Sequence, residues 1–132
     1  MYNNCELIDL PSCFGKDGNL TYIEKLPFKI RRVYYLHSIP NNIKRGVHAH
    51  KALEQLIIAI SGSFDITIDD GQKRSVIHMN NPAKALYVCP MIWREINNFS
   101  KNSVLMVLAS TEYDEYDYIH NYDEFIALKQ KR

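Results

Sequence analysis

Between Leu56 and Met79 the chain reads as a succession of short strands, runs of five or six residues each closed by a turn signal. Leu56-Ile57-Ile58-Ala59-Ile60 is apolar and too short for a membrane span, so it reads as a buried strand. Ser61-Gly62-Ser63 turns the chain, and Phe64-Asp65-Ile66-Thr67-Ile68-Asp69 alternates apolar and polar residues, as a strand with one buried face does. Asp70-Gly71 is a hairpin signal ahead of Ser75-Val76-Ile77-His78-Met79, and Asn80-Asn81-Pro82 ends that segment. Strands this short and this closely spaced can bury their apolar faces only in a sandwich or barrel.

The pattern extends in both directions. Ile30 to Leu36 is rich in β-branched and aromatic residues, and Ala85-Leu86-Tyr87-Val88 and Val104 to Ala109 read as further strands, with a shorter one expected around Trp93. Gly15 and Gly18 flank Lys16-Asp17 and predict a loop. Near the end, Asn121 can cap a helix with Glu124 three residues later, and Phe125, Ile126 and Leu128 give that helix an apolar side. One all-β domain spanning residues 1–132, with a short C-terminal helix, is the expectation.

Sixteen basic and fifteen acidic residues leave a formal net charge of +1, and no basic stripe interleaved with aromatics is present. Nucleic acid is therefore not an expected partner, although local positive charge can still hold a phosphate. The three cysteines, Cys5, Cys13 and Cys89, show no metal-type spacing, and the first residues lack a basic then apolar signal region, so a reduced, cytoplasmic protein without membrane attachment is expected.

The chemistry concentrates in Arg45-Gly46-Val47-His48-Ala49-His50-Lys51. On a strand, His48 and His50 point to the same side. Glu54 lies four residues further on, which gives the HxH…E spacing of metal-binding cupins, small β-barrels that complete the ligand set with a later histidine. The segment where that ligand falls is Cys89-Pro90-Met91-Ile92-Trp93-Arg94-Glu95, which has no histidine, and Arg94 would set a permanent cation beside a metal. Without a metal, two imidazoles suit proton abstraction next to a carbonyl, and Arg45, Arg94, Tyr34 and Tyr35 are candidates to stabilise the enediolate. Only one of Tyr34 and Tyr35 can face the interior. His78 and His120 are not placed by the sequence to replace the missing ligand.

Several segments together resemble the cupin-type dTDP-sugar 3,4-ketoisomerases: Pro27 to Tyr35, Arg45 to Lys51, Trp93-Arg94-Glu95, and Val107 to Ser110 with Tyr113-Asp114-Glu115-Tyr116-Asp117-Tyr118-Ile119. The resemblance implies a cupin jelly-roll barrel that needs no metal or other cofactor and acts on dTDP-4-keto-6-deoxyglucose. It makes His50 the base at sugar C3 and His48 its assistant at C4. Arg32, Arg45 and Lys51 become candidate nucleotide contacts, and a homodimer that exchanges N-terminal strands is implied. Arg94, where some relatives carry histidine, favours the gluco product, while Gly15 to Leu20 departs from the Asp-x-Arg-Gly of many members. The competing readings are a metal-dependent cupin and a non-catalytic sugar-nucleotide-binding cupin. A 3,5-epimerase would need a His–Asp pair, which sequence spacing does not locate.

Overall fold

A computed structural model describes residues 4–131. Twelve strands and one α-helix are found among them. The first sheet takes β1 (Glu6–Asp9), β4 (Arg32–Leu36), β6 (Gln55–Ser61), β9 (Lys84–Val88) and β11 (Val104–Ala109) in the order β1-β9-β6-β11-β4. The second takes β5 (Arg45–His50), β7 (Phe64–Asp69), β8 (Arg74–Met79), β10 (Trp93–Asn97) and β12 (Tyr118–Ile119) in the order β12-β5-β10-β7-β8. All neighbouring strands are antiparallel. From β4 onward the chain thus passes between two facing sheets at every step except from β7 to β8, the all-β arrangement expected from the closely spaced strand signals.

Three apolar clusters hold the layers together. Between the sheets, Ile57, Ala59, Phe64, Ile66, Leu86, Val88, Ile96, Leu105 and Val107 interdigitate and are almost fully buried. The outer face of the first sheet buries Leu56, Ile58, Tyr87 and Leu108 under Leu10, Ile23, Leu26 and Phe28. This second burial explains why β6 is apolar at successive positions instead of alternating. On the outside of the second sheet, α1 (Tyr122–Gln130) packs Phe125 against Ala49, Met91, Trp93 and Ile119. The Asn121 side chain caps α1, accepting from Glu124 N at 2.9 Å as the sequence predicts.

The N-terminal segment departs from expectation. Gly15 and Gly18 close a hairpin of β2 (Ser12–Gly15) and β3 (Gly18–Thr21), not a plain loop. Four-residue strands with little burial carry no amphipathic signal for sequence reading to use. The same holds for β1, held by pairing with β9, and for the two-residue β12. Ile30 and Arg31 precede β4 instead of starting it. At the turn between β6 and β7, Gly62 has φ of 70°, and a Cβ there would collide with Ser100 Oγ and lie 2.9 Å from Ser103 Cα, so only glycine fits.

Candidate active site

Strand register assembles the site. His48 on β5 stands directly across from Arg94 on β10, and His50 stands across from Tyr118 on β12. All four are therefore neighbours on one face of the second sheet. A cavity of about 290 Å³ opens between the sheets there. The second sheet supplies Arg45, His48, Arg94 and Tyr118 to its wall, and the first supplies Arg32, Tyr34, Gln55 and an apolar floor that includes Ile57, Leu105 and Val107. The apolar floor raises the strength of every charge interaction above it.

The imidazoles of His48 and His50 meet edge to face, with ring centroids 4.8 Å apart, and the Tyr118 ring packs 4.9 Å from the first and 4.3 Å from the second. Behind His50 lies Asp117, the last residue of a short 3-10 turn, Glu115–Asp117. Its carboxylate accepts from His50 Nδ1 at 3.2 Å and from the backbone N–H groups of Ala52 at 2.9 Å and Leu53 at 3.3 Å. A carboxylate facing Nδ1 fixes the hydrogen on that nitrogen and leaves the Nε2 lone pair exposed to its surroundings. His50 Nε2 is buried and has no hydrogen-bond partner among the described residues. Buried polar atoms are seldom left so, and this one lies beside the cavity, next to His48 and Tyr118 of its wall.

Arg94 is fully buried, yet no carboxylate pairs with it among the described residues. Its Nε and Nη2 donate to Ile92 O at 3.3 and 3.1 Å, and Nη1 donates to Gln55 Oε1. Gln55 Nε2 in turn donates to the Tyr34 hydroxyl at 3.2 Å, which leaves the phenol proton free to donate into the cavity. The result is an uncompensated positive charge below a hydroxyl donor. Burial and then the Arg94 charge push His48 down to about 3 and His50 down to about 2. For His50 these two effects outweigh the Asp117 contact. Both imidazoles are neutral at physiological pH, so both can accept a proton.

The residues do not fit a metal shell. Glu54, at ligand spacing in the sequence, accepts instead from the Tyr87 hydroxyl at 2.6 Å, a side chain buried on the outer face of the first sheet. Among the described residues no group of three His, Cys, Asp or Glu side chains converges on one point.

The family model described as WxcM-like, C-terminal matches residues 3–130. The chain belongs to that family. It is 42% identical over 123 residues to a TDP-4-oxo-6-deoxy-alpha-D-glucose-3,4-oxoisomerase of Aneurinibacillus thermoaerophilus, covering 91% of this chain and 88% of that one. Among solved structures, a variant of the 3,4-ketoisomerase QdtA from Thermoanaerobacterium thermosaccharolyticum in complex with TDP-4-keto-6-deoxyglucose superposes with a TM-score of 0.95 at 41% identity, over 100% of this chain and 98% of that one. The TDP-quinovose 3,4-ketoisomerase WlaRB of Campylobacter jejuni gives 0.90 at 43% identity, over 96% and 99% of the two chains.

Within this WxcM-like chain the sequence-predicted residues divide. Arg32, Tyr34, Arg45, His48 and Arg94 line the cavity, and His50 adjoins it through His48 and Tyr118. Arg32 lies over the Tyr34 ring at 5.0 Å and the Tyr113 ring at 5.7 Å. Tyr35 and Lys51 are not brought to the cavity: Tyr35 is 61% exposed on the opposite face of β4, and Lys51 is exposed just past the end of β5. The pleat thereby decides between the two tyrosines in favour of Tyr34. Sequence reasoning missed Gln55, Asp117 and Tyr118. Of the two His–Asp contacts among the described residues, His50 with Asp117 and His78 with Asp65, the first adjoins the cavity and joins positions 67 apart, beyond what sequence spacing reveals. His120, set aside from the sequence, stacks on Tyr118 with centroids 5.3 Å apart and lies 6.3 Å from His48.

Proposed function

We propose that this chain is a dTDP-sugar 3,4-ketoisomerase that converts dTDP-4-keto-6-deoxyglucose into the 3-keto isomer. The observation that carries the proposal is the unpartnered Nε2 of His50, with Nδ1 held by Asp117 and an uncompensated Arg94 charge one strand away. The names of the relatives supply the substrate class.

In this reading His50 Nε2 takes the proton from C3, the C–H electron pair becomes the C3–C4 double bond, and the C4 carbonyl oxygen takes up the negative charge. Arg94 and the Tyr34 hydroxyl stabilise that oxyanion. Proton exchange between the two oxygens gives the isomeric enediolate, and delivery of a proton to C4, assisted by His48, leaves the ketone at C3. An imidazole held neutral this firmly is a weak base in the empty site. The enediolate removes the difficulty, because its charge balances Arg94 at the moment the imidazolium forms. Proton transfer thus creates one compensated ion pair and costs less than the empty-site values imply.

Arg45 and Arg32 at the cavity wall suit the diphosphate. Arg94 favours the gluco configuration at C4, in keeping with the relative named for TDP-quinovose, and a 3-keto product of this kind suits later amination at C3. A homodimer exchanging N-terminal strands completes the proposal: β1 sits at a sheet edge, and Phe14 and Leu20 of the β2–β3 hairpin are exposed.

Proton NMR of dTDP-4-keto-6-deoxyglucose with the protein in heavy water is the test. A new 3-keto species carrying deuterium is expected, and the coupling of its C4 proton reports the configuration. Binding without isomerisation or deuterium uptake would establish the non-catalytic reading instead.

A further inference from the structure

The two-residue strand β12 is anchored at both ends. Lys51 N donates to Asp117 O at 3.0 Å, the Asp117 carboxylate accepts from Ala52 N, Leu53 N and His50 Nδ1, and Ile119 is buried with Ala49, Trp93 and Phe125 of α1. With Ile119 committed to the outer face of the second sheet, strand alternation sends Tyr118 to the inner face, where it lines the cavity opposite His50.

Ring contacts hold Tyr118 in place there. Its ring lies 4.9 Å from that of His48 and 4.3 Å from that of His50, His120 stacks on it at 5.3 Å with the planes 8° apart, and Tyr113 lies at 5.7 Å. His120 is itself tethered, since Glu115 Oε1 accepts from its Nε2 at 2.8 Å and the same carboxylate accepts from the Tyr113 hydroxyl. The Tyr118 hydroxyl, by contrast, has no hydrogen-bond partner among the described residues.

Tyr34, the other cavity phenol, differs at this point. Its oxygen accepts from Gln55 Nε2 at 3.2 Å, and Gln55 is held in turn by Arg94. A phenol so engaged still donates, but taking up a second proton would cost it the Gln55 bond. Tyr118 is open in both directions.

The isomerisation contains a step that needs such a group. Once the C3 proton has left, the negative charge sits on the C4 oxygen, and it reaches the C3 oxygen only when the C3 hydroxyl proton is exchanged for one on the C4 oxygen. His50 then holds the C3 proton, Arg94 is a permanent cation, and Tyr34 is committed to Gln55. We propose that Tyr118 is a further catalytic residue that carries this proton between the two sugar oxygens. The Tyr118 O–H bond breaks as its proton bonds to the C4 oxygen, and the phenol oxygen takes the proton of the C3 hydroxyl. One O–H bond is lost and one regained at Tyr118, which ends neutral, and nothing is oxidised or reduced. This assignment rests on the isomerase reading above.

The experiment compares the full wild-type chain with Tyr118→Phe and Tyr34→Phe, each given dTDP-4-keto-6-deoxyglucose in heavy water. Proton NMR follows two signals, deuterium uptake at C3 of the recovered substrate and appearance of the 3-keto product. Phenylalanine keeps the ring beside the imidazoles and His120, so Tyr118→Phe removes the hydroxyl alone. It is expected to slow product formation about 100-fold, as loss of a positioned proton carrier does, while deuterium uptake at C3 persists because the enediolate still forms and returns. Tyr34→Phe is expected to slow both signals together, because the oxyanion it stabilises precedes both. Product formation undiminished in Tyr118→Phe would overturn the proposal, and so would an equal loss of both signals there, the result of a merely structural role. A wild-type chain that shows neither signal would overturn the isomerase reading and this assignment with it, so the two failures are read from different samples.

Discussion

Acidification from pH 7.5 to 5 should unfold this protein sooner than it titrates its base. Burial and the Arg94 charge hold His48 down to about 3 and His50 down to about 2, whereas an unfolded chain carries histidines near 6.5. Between those values the unfolded state binds protons that the folded state refuses, so stability is full above pH 6.5 and falls as pH drops below it. Each histidine contributes about 1.4 kcal/mol per pH unit in that window, or about 2 kcal/mol each and ~4 kcal/mol together at pH 5. Carboxylates such as Asp69 and Glu95, held below their ordinary values of 3.8 and 4.5, add losses only at lower pH. Against a total stability of about 5–15 kcal/mol, the urea midpoint should fall by roughly 2 M between pH 7 and 5. His48→Gln should remove about half of that dependence. Over the range where the protein stays folded, kcat/KM should be level, because it reports the free enzyme's groups. An acid limb near 6.5 in kcat/KM, or a urea midpoint unchanged from pH 6.5 to 5, would refute the assignment of two neutral, buried imidazoles.

Asp117→Asn keeps an oxygen for Ala52 N but puts an amide nitrogen in place of the oxygen shared by Leu53 N and His50 Nδ1, and loses the charge facing the imidazole. Loss of one hydrogen bond to a charged group, about 1.5–3 kcal/mol, should lower kcat by ~10- to 100-fold with KM little changed, measured by steady-state kinetics alongside a thermal melt. Arg94→Met, close in volume but uncharged, should lower kcat by about 100-fold, as removal of an oxyanion-stabilising donor does. The same change should raise the pKa of His48 and His50, and titration of their ring-proton NMR signals checks the direction.

The parts of the fold that sequence made legible are those where burial imposes a period. β7 and β11 occupy the predicted spans because alternation or an apolar run, closed by turn residues, defines both ends. β1 and β12 depend on long-range pairing, and the β2–β3 hairpin buries too little for a period to show, so nothing local in four or fewer residues reveals them. The site follows the same division. His48 and His50 were readable because a two-residue spacing fixes their common face, but Tyr34 and Tyr35 are adjacent, and only the pleat chooses between them. Gln55 was hidden as the first residue of an apolar strand. Asp117 and Tyr118 lay in plain view within Tyr113 to Ile119, yet only the pairing of Tyr118 with His50 gives them a role.

Arg94 unites these observations. A metal-binding cupin and this chain both place a positive charge beside an HxH pair, but a metal consumes the imidazole lone pairs as ligands and a guanidinium does not. Arg94 is held by two main-chain donations to Ile92 O and one to Gln55, so the charge is fixed without enlisting either histidine. Burial and then that charge keep both imidazoles neutral before substrate arrives, and in the proposed function the charge attracts the oxyanion afterwards. On the proposed function, arginine at the fourth ligand position therefore does more than leave a metal shell incomplete. In the proposed function it leaves two imidazoles as proton acceptors beside a fixed electrostatic stabiliser, which is the combination that moving a carbonyl between adjacent carbons requires.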